Sequence, residues 1–236
     1  MSWTSERKAK RLTEVSGNII SEKAYNMVLG GVVFYGLFVN VILCALFGEK
    51  MADFLAGASK TGMIAITVGY IVLAMAGIAI SHFSSNPAIS FLGYNFVVVP
   101  MGLMVSALVT AYLDAGMGDI VFQAILYTAV ITFVMIVLAC AFPGFFSKIG
   151  GILCGCLIGL VIAEIVALLI FRTHQTIFSW IGAAIFSLYI GYDYWRAQQY
   201  PKTVDNAVDS AVDIYLDIIN LFIRILSILA NSRSND

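Results

Sequence analysis

Seven stretches of mostly apolar residues alternate with short polar links along the chain. Each stretch has about 20 residues or more, which is the length that an α-helix needs to cross a hydrocarbon core of about 30 Å. The pattern predicts spans near 25–47, 61–81, 88–112, 120–142, 150–171, 176–197 and 208–229. Because most links are short, consecutive spans are expected to be antiparallel neighbours. We therefore predict an all-α integral membrane protein, a bundle of seven transmembrane helices.

The last apolar segment carries a stripe of polar residues. Asp209, Asp213, Asp217, Asn220 and Arg224 follow one another at spacings of 4, 4, 3 and 4. At about 100° per residue they fall within an arc of roughly 80° on one helix face. An ionisable group at the bilayer centre costs on the order of 3 kcal/mol. The stripe must therefore face water, a partner or an ion path, and we expect the other helices to enclose this last, central helix.

Composition supports a membrane protein and excludes several classes. Of the 236 residues, 61% are hydrophobic and 11% are charged, whereas a soluble domain carries roughly 25% charged residues. The net charge of −1 gives no electrostatic reason to expect a nucleic-acid partner. The four cysteines lie in apolar stretches without zinc spacing, so no resident cofactor is expected. We divide the chain into a polar N-terminal segment (1–24), a transmembrane domain (25–230) and a polar tail (231–236).

The distribution of basic residues predicts the orientation in the membrane. With the N-terminus inside, eight basic residues lie on the inner side and four on the outer side. The inner eight are Arg7, Lys8, Lys10, Arg11, Lys23, Lys148, Arg196 and Lys202. Because cytoplasmic loops are enriched in Lys and Arg, we expect a cytoplasmic N-terminus and an external C-terminus. The compact chain, which lacks a signal-peptide pattern, favours a prokaryotic plasma membrane. An internal eukaryotic membrane is the alternative.

The fifth span carries two features of opposite character. Gly151, Gly155 and Gly159 form a stripe of small residues, which predicts close packing against another helix. Glu164 lies roughly opposite that stripe and is expected to face a different neighbour. It could serve as a secondary cation or proton site, or it could bond to a neighbouring helix.

Two acidic residues lie at similar depth on the last two spans. Asp193 is a turn or two from the inner end of the sixth span, and Asp217 lies about two and a half turns into the seventh. At 1.5 Å per residue, both are roughly 10 Å from the inner surface. This depth is compatible with a carboxylate pair. Alternatively, each carboxylate is satisfied separately by a tyrosine hydroxyl, the backbone or a lipid headgroup.

These residues carry a family resemblance. Tyr192-Asp193, followed by Asp217 within the block Tyr215–Phe222, resembles the transmembrane Bax inhibitor motif family, the Bax inhibitor-1 group, as in a bacterial-type member. The C-terminal block is a specific match, whereas the first five spans match in character. The resemblance implies a seven-helix fold with the last helix central. It also implies a di-aspartyl pH sensor made by Asp193 and Asp217, and a proton-regulated calcium leak.

The chain departs from that family pattern near the end of the second span. Relatives with such a sensor have an arginine there, but this chain has Ser81–Ser85, without arginine. His82 is a candidate replacement, although a histidine at a helix end is more often an interfacial residue. Asp213 stands where relatives often have asparagine or serine. The extra carboxylate should make the inner vestibule more acidic.

Elementary electrostatics explains how an aspartate pair could gate. Two carboxylates in contact in a poorly hydrated place cannot both ionise cheaply, so they share one proton and titrate as a unit. The shared proton ties two helices together through a short charge-assisted hydrogen bond. Its loss leaves two like charges that repel each other and can attract a divalent cation. Acid should therefore favour the closed form, and neutral or alkaline pH the open form.

Calcium prefers six to eight oxygen ligands. Asp193 and Asp217 would bind it weakly and transiently, while Asp213 and Asp209 would attract cations at the inner mouth. Asn220 and water could add oxygens. Arg224, further out on the stripe, could neutralise it, bar cations, or extend its side chain towards the outer surface. We favour the last of these three interpretations.

Three other classes remain as alternatives, and no enzyme activity is expected. One is a non-conducting scaffold that regulates a membrane protease or a cell-death or stress pathway. Another is a proton-coupled transporter, although the sequence shows no clear repeat. An intramembrane aspartyl protease would need Gly-x-Gly-Asp at Asp217, and the chain has Tyr215-Leu216-Asp217. The expected partners are the lipid bilayer, calcium ions and protons, and the sequence identifies no protein partner.

Overall fold

The computed structural model describes residues 18–167, 170 and 176–233. In these ranges the chain forms seven α-helices, one for each predicted span and in the predicted order. They are α1 (Glu22–Ala56), α2 (Lys60–Phe83), α3 (Pro87–Asp114), α4 (Gly118–Ala141), α5 (Pro143–Val166), α6 (Thr176–Gln198) and α7 (Val204–Arg233).

Local sequence signals explain where several helices begin. Ser21, Ser59 and Asn86 precede α1, α2 and α3, and each side chain accepts a hydrogen bond from a backbone N–H of the first turn. Such caps satisfy donors that have no partner inside the helix. Pro143 occupies the first turn of α5, where its fixed φ is tolerated. For this reason α5 begins earlier than the predicted residue 150.

Five helices, α1 to α5, are long and apolar enough to cross a membrane. The protein is therefore a multi-pass membrane protein. Neither α6 nor α7, which carries the acidic stripe, is among the five found in the described residues. Most side chains of α7 are nevertheless buried, including Ala211, Val212 and Leu221, which have no exposed surface. The seven-span topology and the central position of α7 stay predictions.

The described residues fall into two compact units, which share the last helix. The first unit comprises residues up to 115 together with 199–215, so it contains α1, α2, α3 and the beginning of α7. The second unit comprises residues 116–198 and those from 216 onward, so it contains α4, α5, α6 and the rest of α7.

In the first unit, α3 packs against both α1 and α2. Helices α2 and α3 cross at Gly77 and Gly93, where a Cβ on Gly93 would lie 2.6 Å from the Ser81 nitrogen and 2.7 Å from the Gly77 oxygen. Only glycine permits this backbone approach. Further along, Asn40 of α1 donates a hydrogen bond to the Tyr215 hydroxyl at 2.9 Å.

The loop before α7 is fastened to the start of α1. The Ile20 nitrogen donates to the Lys202 carbonyl at 2.8 Å, and the Lys202 ammonium lies 4.5 Å from the centre of the Tyr25 ring. Burial lowers the pKa of Lys202, while the nearby Glu22 carboxylate opposes that change. These contacts hold the loop that leads into α7, the helix that carries the acidic stripe.

In the second unit, α6 packs against both α4 and α5. Glycines again mark the close contacts, because a Cβ on Gly191 would meet Phe146 and one on Gly150 would meet Tyr192. The prediction for Gly151, Gly155 and Gly159 is wrong: a Cβ at these exposed positions would meet no described atom within 4 Å. Small residues permit close packing but do not require it, and here the neighbouring helix lies against a different face of α5.

The orientation in the membrane stays a prediction. The cluster of Arg7, Lys8, Lys10 and Arg11, which supplies most of the inner-side excess, lies outside the described residues. Residues 171–175, at the end of the predicted fifth span and in the link after it, also lie outside them, as do residues 234–236 of the predicted tail.

Candidate functional site

Asp193 lies near the end of α6 and is only 6% exposed. Its Oδ1 atom is 2.9 Å from Nη2 of Arg196, one helical turn later. The Arg196 guanidinium also lies 5.4 Å from the centre of the Tyr192 ring. An arginine on the same helix is therefore a counter-ion of this carboxylate, and an aromatic face limits where the guanidinium can move.

Asp217 lies on the part of α7 that belongs to the second unit and is 7% exposed. The Asp193 and Asp217 carboxylates both act electrostatically on the phenol of Tyr189, which is one turn before Asp193 on α6. Tyr189 is thus within electrostatic range of both buried aspartates. The carboxylate pair that the sequence predicted stays a prediction.

The first unit holds a second row of carboxylates. Asp209 is 1% exposed and accepts a hydrogen bond of 2.6 Å from the Ser81 hydroxyl. Asp205 accepts one of 2.7 Å from the Ser90 hydroxyl, which also lies 3.1 Å from the Ser81 carbonyl oxygen. The crossing of α2 and α3 at Gly93 brings both serines to this place.

Asp205 was missing from the predicted stripe. It lies four residues before Asp209 and continues the same spacing, so the signal was present in the sequence. The helix begins at Val204, one turn earlier than predicted, and this earlier start adds Asp205 to the acidic face.

His82 lies next to Asp213 within the first unit. The distance between His82 Nε2 and Asp213 Oδ1 is 3.4 Å, and both side chains are partly exposed. A protonated imidazole would form an ion pair with this carboxylate. The candidate replacement for the missing arginine therefore contacts the extra aspartate of the stripe.

The outer part of the stripe contains Asn220 and Arg224. Asn220 donates to the Leu216 carbonyl of its own helix at 2.8 Å. Nη1 of Arg224 contacts Oε1 of Glu164, and its Nη2 donates to Oε2 of Glu164 at 3.1 Å. This pairing assigns Glu164 to a bond with a neighbouring helix. The direction of Arg224 relative to the outer surface stays a prediction.

The geometry of the acidic side chains limits how a metal could bind. Among the residues that the structure describes, no three or more His, Cys, Asp or Glu side chains are grouped closely enough to hold a metal ion. Calcium at Asp193 and Asp217 would need most of its oxygens from water or backbone carbonyls. Such a site would be weak.

Comparison with family models identifies one family. The family model described as Bax1-I, "Inhibitor of apoptosis-promoting Bax1", matches residues 18–234, which include all seven helices. Two curated proteins, both called "Uncharacterized protein" and both from Helicobacter pylori (strains 26695 and J99), are 30% identical to the chain over 148 residues. The match covers 61% of this chain and 63% of each relative. No solved structure matches.

Proposed function

The chain belongs to the Bax inhibitor-1 family, and we propose that it is a calcium leak channel gated by a proton that Asp193 and Asp217 share. The observation that carries the proposal is the placement of these two aspartates. Both are buried in the second unit, and both act on the same Tyr189 hydroxyl. Two buried carboxylates share a proton when their oxygens come within hydrogen-bond distance, and this contact is part of the proposal.

The pair responds to pH through the charge that it carries. When one proton is present, it bridges the carboxylates and holds α6 on α7. When that proton leaves, two negative charges face each other in a poorly hydrated place, and the two helices separate. The exposed carboxylate oxygens then favour a divalent cation. Calcium passage is therefore low in acid and rises as the pH increases.

Arg196 sets where this change occurs on the pH scale. Its guanidinium, 2.9 Å from Asp193, favours the ionised carboxylate and competes with the shared proton. Arg196→Gln should therefore move the opening transition to higher pH. Arg196→Lys keeps the charge and should move it less.

The acidic residues of the first unit attract cations. Asp213 is partly exposed and attracts cations at the inner mouth, while the more deeply buried Asp209 adds negative potential behind it. Each carboxylate raises the local cation concentration without forming a tight site. Weak attraction suits passage, because an ion that enters must also leave.

The test is calcium flux into proteoliposomes, measured from about pH 6 to about pH 8, the range in which a shared proton is expected to leave. We compare wild type with Asp193→Asn and Asp217→Asn, at equal amounts of reconstituted protein. Asp119→Asn is the matched control, because Asp119 is an exposed carboxylate at the start of α4. We expect wild-type and control flux to rise with pH and both gate variants to lose this dependence.

A non-conducting scaffold is the second candidate, and the family description favours it. That description names inhibition of apoptosis-promoting Bax1, a role that contacts alone could fulfil. Calcium flux no greater than that of empty liposomes at every pH would overturn the leak channel and favour the scaffold. A scaffold would also keep its cellular effect in Asp217→Asn.

We also propose that the protein resides in a bacterial plasma membrane with its N-terminus in the cytoplasm. The bacterial source of the two curated relatives supports the membrane, and the bias of basic residues supports the orientation. Labelling of a single cysteine introduced near either terminus of a cysteine-free variant, in intact cells, tests the orientation.

A further inference from the structure

Three helices of the second unit meet around the guanidinium of Arg224. Its two terminal nitrogens contact the two carboxylate oxygens of Glu164, which joins α7 to α5. On the remaining side, a Cβ at Gly182 of α6 would lie 2.8 Å from the Arg224 Nε atom. Gly182 thus leaves the space that the guanidinium occupies.

This pair is neither fully buried nor free in water. The Arg224 side chain is 22% exposed and the Glu164 side chain is 29% exposed. Ionised side chains inside a membrane bundle face its interior or a water-filled cavity and seldom face lipid. Partial exposure means that the pair is not sealed inside the protein core, and water rather than lipid is the surrounding that suits two charges.

The guanidinium carries one positive charge and the carboxylate one negative charge, so the pair is electrically neutral as a unit. Arginine and a carboxylate matched in this way gain geometric specificity as well as energy. A buried ion pair is weak evidence for stability, because apolar residues of similar size often serve as well or better. What the two charges do to nearby ions is therefore a further role for the pair.

We propose that Glu164 and Arg224 form a charge-selectivity element on the ion path. The inference rests on the proposed leak function and assigns to this pair the choice between cations and anions. Arg224 alone would place a positive charge on the outer half of the acidic stripe and repel calcium. Glu164 cancels that charge, so cations that pass Asp217 are not stopped further along α7.

The charge arithmetic predicts opposite effects for the two single substitutions. Glu164→Gln changes the charge of the pair from 0 to +1, and Arg224→Gln changes it from 0 to −1. A unit charge near a divalent ion in a partly hydrated path is enough to change its passage by about tenfold. Removing either partner would loosen the helices in the same way, so a purely structural pair predicts effects of the same sign.

The experiment measures calcium and chloride flux into proteoliposomes at a fixed pH of about 8, where the gate is expected to be open. The variants are Glu164→Gln, Arg224→Gln and the exchange Glu164→Arg with Arg224→Glu. The control is Asp119→Asn, which opens an exposed ion pair in the same unit. Each protein is reconstituted in equal amounts after size-exclusion chromatography confirms a single species.

We expect Glu164→Gln to reduce calcium flux about tenfold and to admit chloride, and Arg224→Gln to increase calcium flux. The exchanged pair, again neutral, should return both fluxes close to wild type. Changes of the same sign in the two single variants, or no change in either, would overturn this inference while leaving the leak channel in place. A wild-type protein that conducts no calcium would overturn the proposed function and this inference with it.

Discussion

In the first unit three carboxylates of α7 lie beside hydroxyl groups and an imidazole, whereas three carboxylates of the second unit pair with arginines. The contacts in the first unit are Asp205 with Ser90, Asp209 with Ser81 and Asp213 with His82. Those in the second unit are Asp193 with Arg196, Glu164 with Arg224 and Asp119 with Arg233.

This difference determines which kind of partner each carboxylate needs if its unit is to stay folded. A serine hydroxyl can donate to a carboxylate and, more weakly, to an amide oxygen, so its partner need not carry charge. An arginine cannot lose its proton, and its partner must supply the compensating charge. The first unit should therefore tolerate loss of a carboxylate charge, and the second should respond to a change in the charge of its partly buried pairs.

The largest effect is expected at Gly93, where the crossing of α2 and α3 brings Ser81 and Ser90 to the acidic stripe. In Gly93→Val, a Cβ would lie 2.6 Å from the Ser81 nitrogen and 2.7 Å from the Gly77 oxygen. Backbone atoms cannot move aside as a flexible side chain can, so we expect the free energy of unfolding to fall by about 3 kcal/mol. Unfolding in mixed micelles measures this change.

Gly69→Val on α2 is the matched control, because a Cβ there would meet nothing within 4 Å. A β-branched residue is placed in a helix in both variants, so their difference isolates the crossing of α2 and α3. Equal stability of the two variants would contradict the role given to Gly93.

The next effect separates a hydrogen bond from a charge. Ser81→Ala removes the donor to the fully buried Asp209 carboxylate, and we expect a loss of about 2 kcal/mol. Asp209→Asn keeps an oxygen that can accept from the serine, so it should cost less than about 1 kcal/mol. If Asp209→Asn were the more damaging change, the negative charge itself would be what the first unit needs.

A smaller effect tests the space around Arg224 in the second unit. Gly182→Ala places a Cβ 2.8 Å from the Arg224 Nε atom, whereas Gly151→Ala meets nothing within 4 Å. Alanine stabilises a helix relative to glycine by roughly 0.5–1 kcal/mol. We expect Gly151→Ala to gain that stability and Gly182→Ala not to gain it, because its Cβ meets the guanidinium. The two variants should therefore differ by about 1 kcal/mol. The same gain in both would show that the guanidinium moves aside without cost.

The smallest effect concerns the exposed ion pair at the start of α4. Arg233→Gln removes a partner of Asp119 where both side chains are about half exposed. Water and salt screen such pairs, so we expect no measurable change in the melting temperature. A clear decrease that high salt abolishes would mean that this pair also holds the second unit together.

The sequence predicted the helices better than it predicted their partners. A helix is the structure that satisfies the backbone of a long apolar run in a membrane, so the order of the helices follows from hydropathy. Their ends follow less closely, because α1 ends at Ala56 and α5 begins at Pro143. The similar depth that the sequence predicts for Asp193 and Asp217, and their pairing, stay predictions. Arg196 could have been paired with Asp193 from its spacing of three residues, but its position suggested only a basic residue at the inner surface.

Other contacts had no signal along the chain. Nothing in the sequence around Ser81 and Ser90 indicates a partner. The crossing of α2 and α3 at Gly93 brings these serines to α7. Glu164 and Arg224 are 60 residues apart, and only the packing of their helices shows that they meet. Small-residue spacing misled in the fifth span, because the close contacts there use Gly150 and not the regular stripe that includes Gly151.

Infrared difference spectroscopy of the purified protein tests the shared proton most directly. The carbonyl stretch of a protonated carboxyl group is followed from about pH 6 to about pH 8, in wild type, Asp193→Asn and Asp217→Asn. The account predicts a protonated-carboxyl band in wild type that disappears as the pH rises and is missing from both variants, because the bridge needs both aspartates. A band that persists in either variant, or a wild-type protein without one, would contradict it.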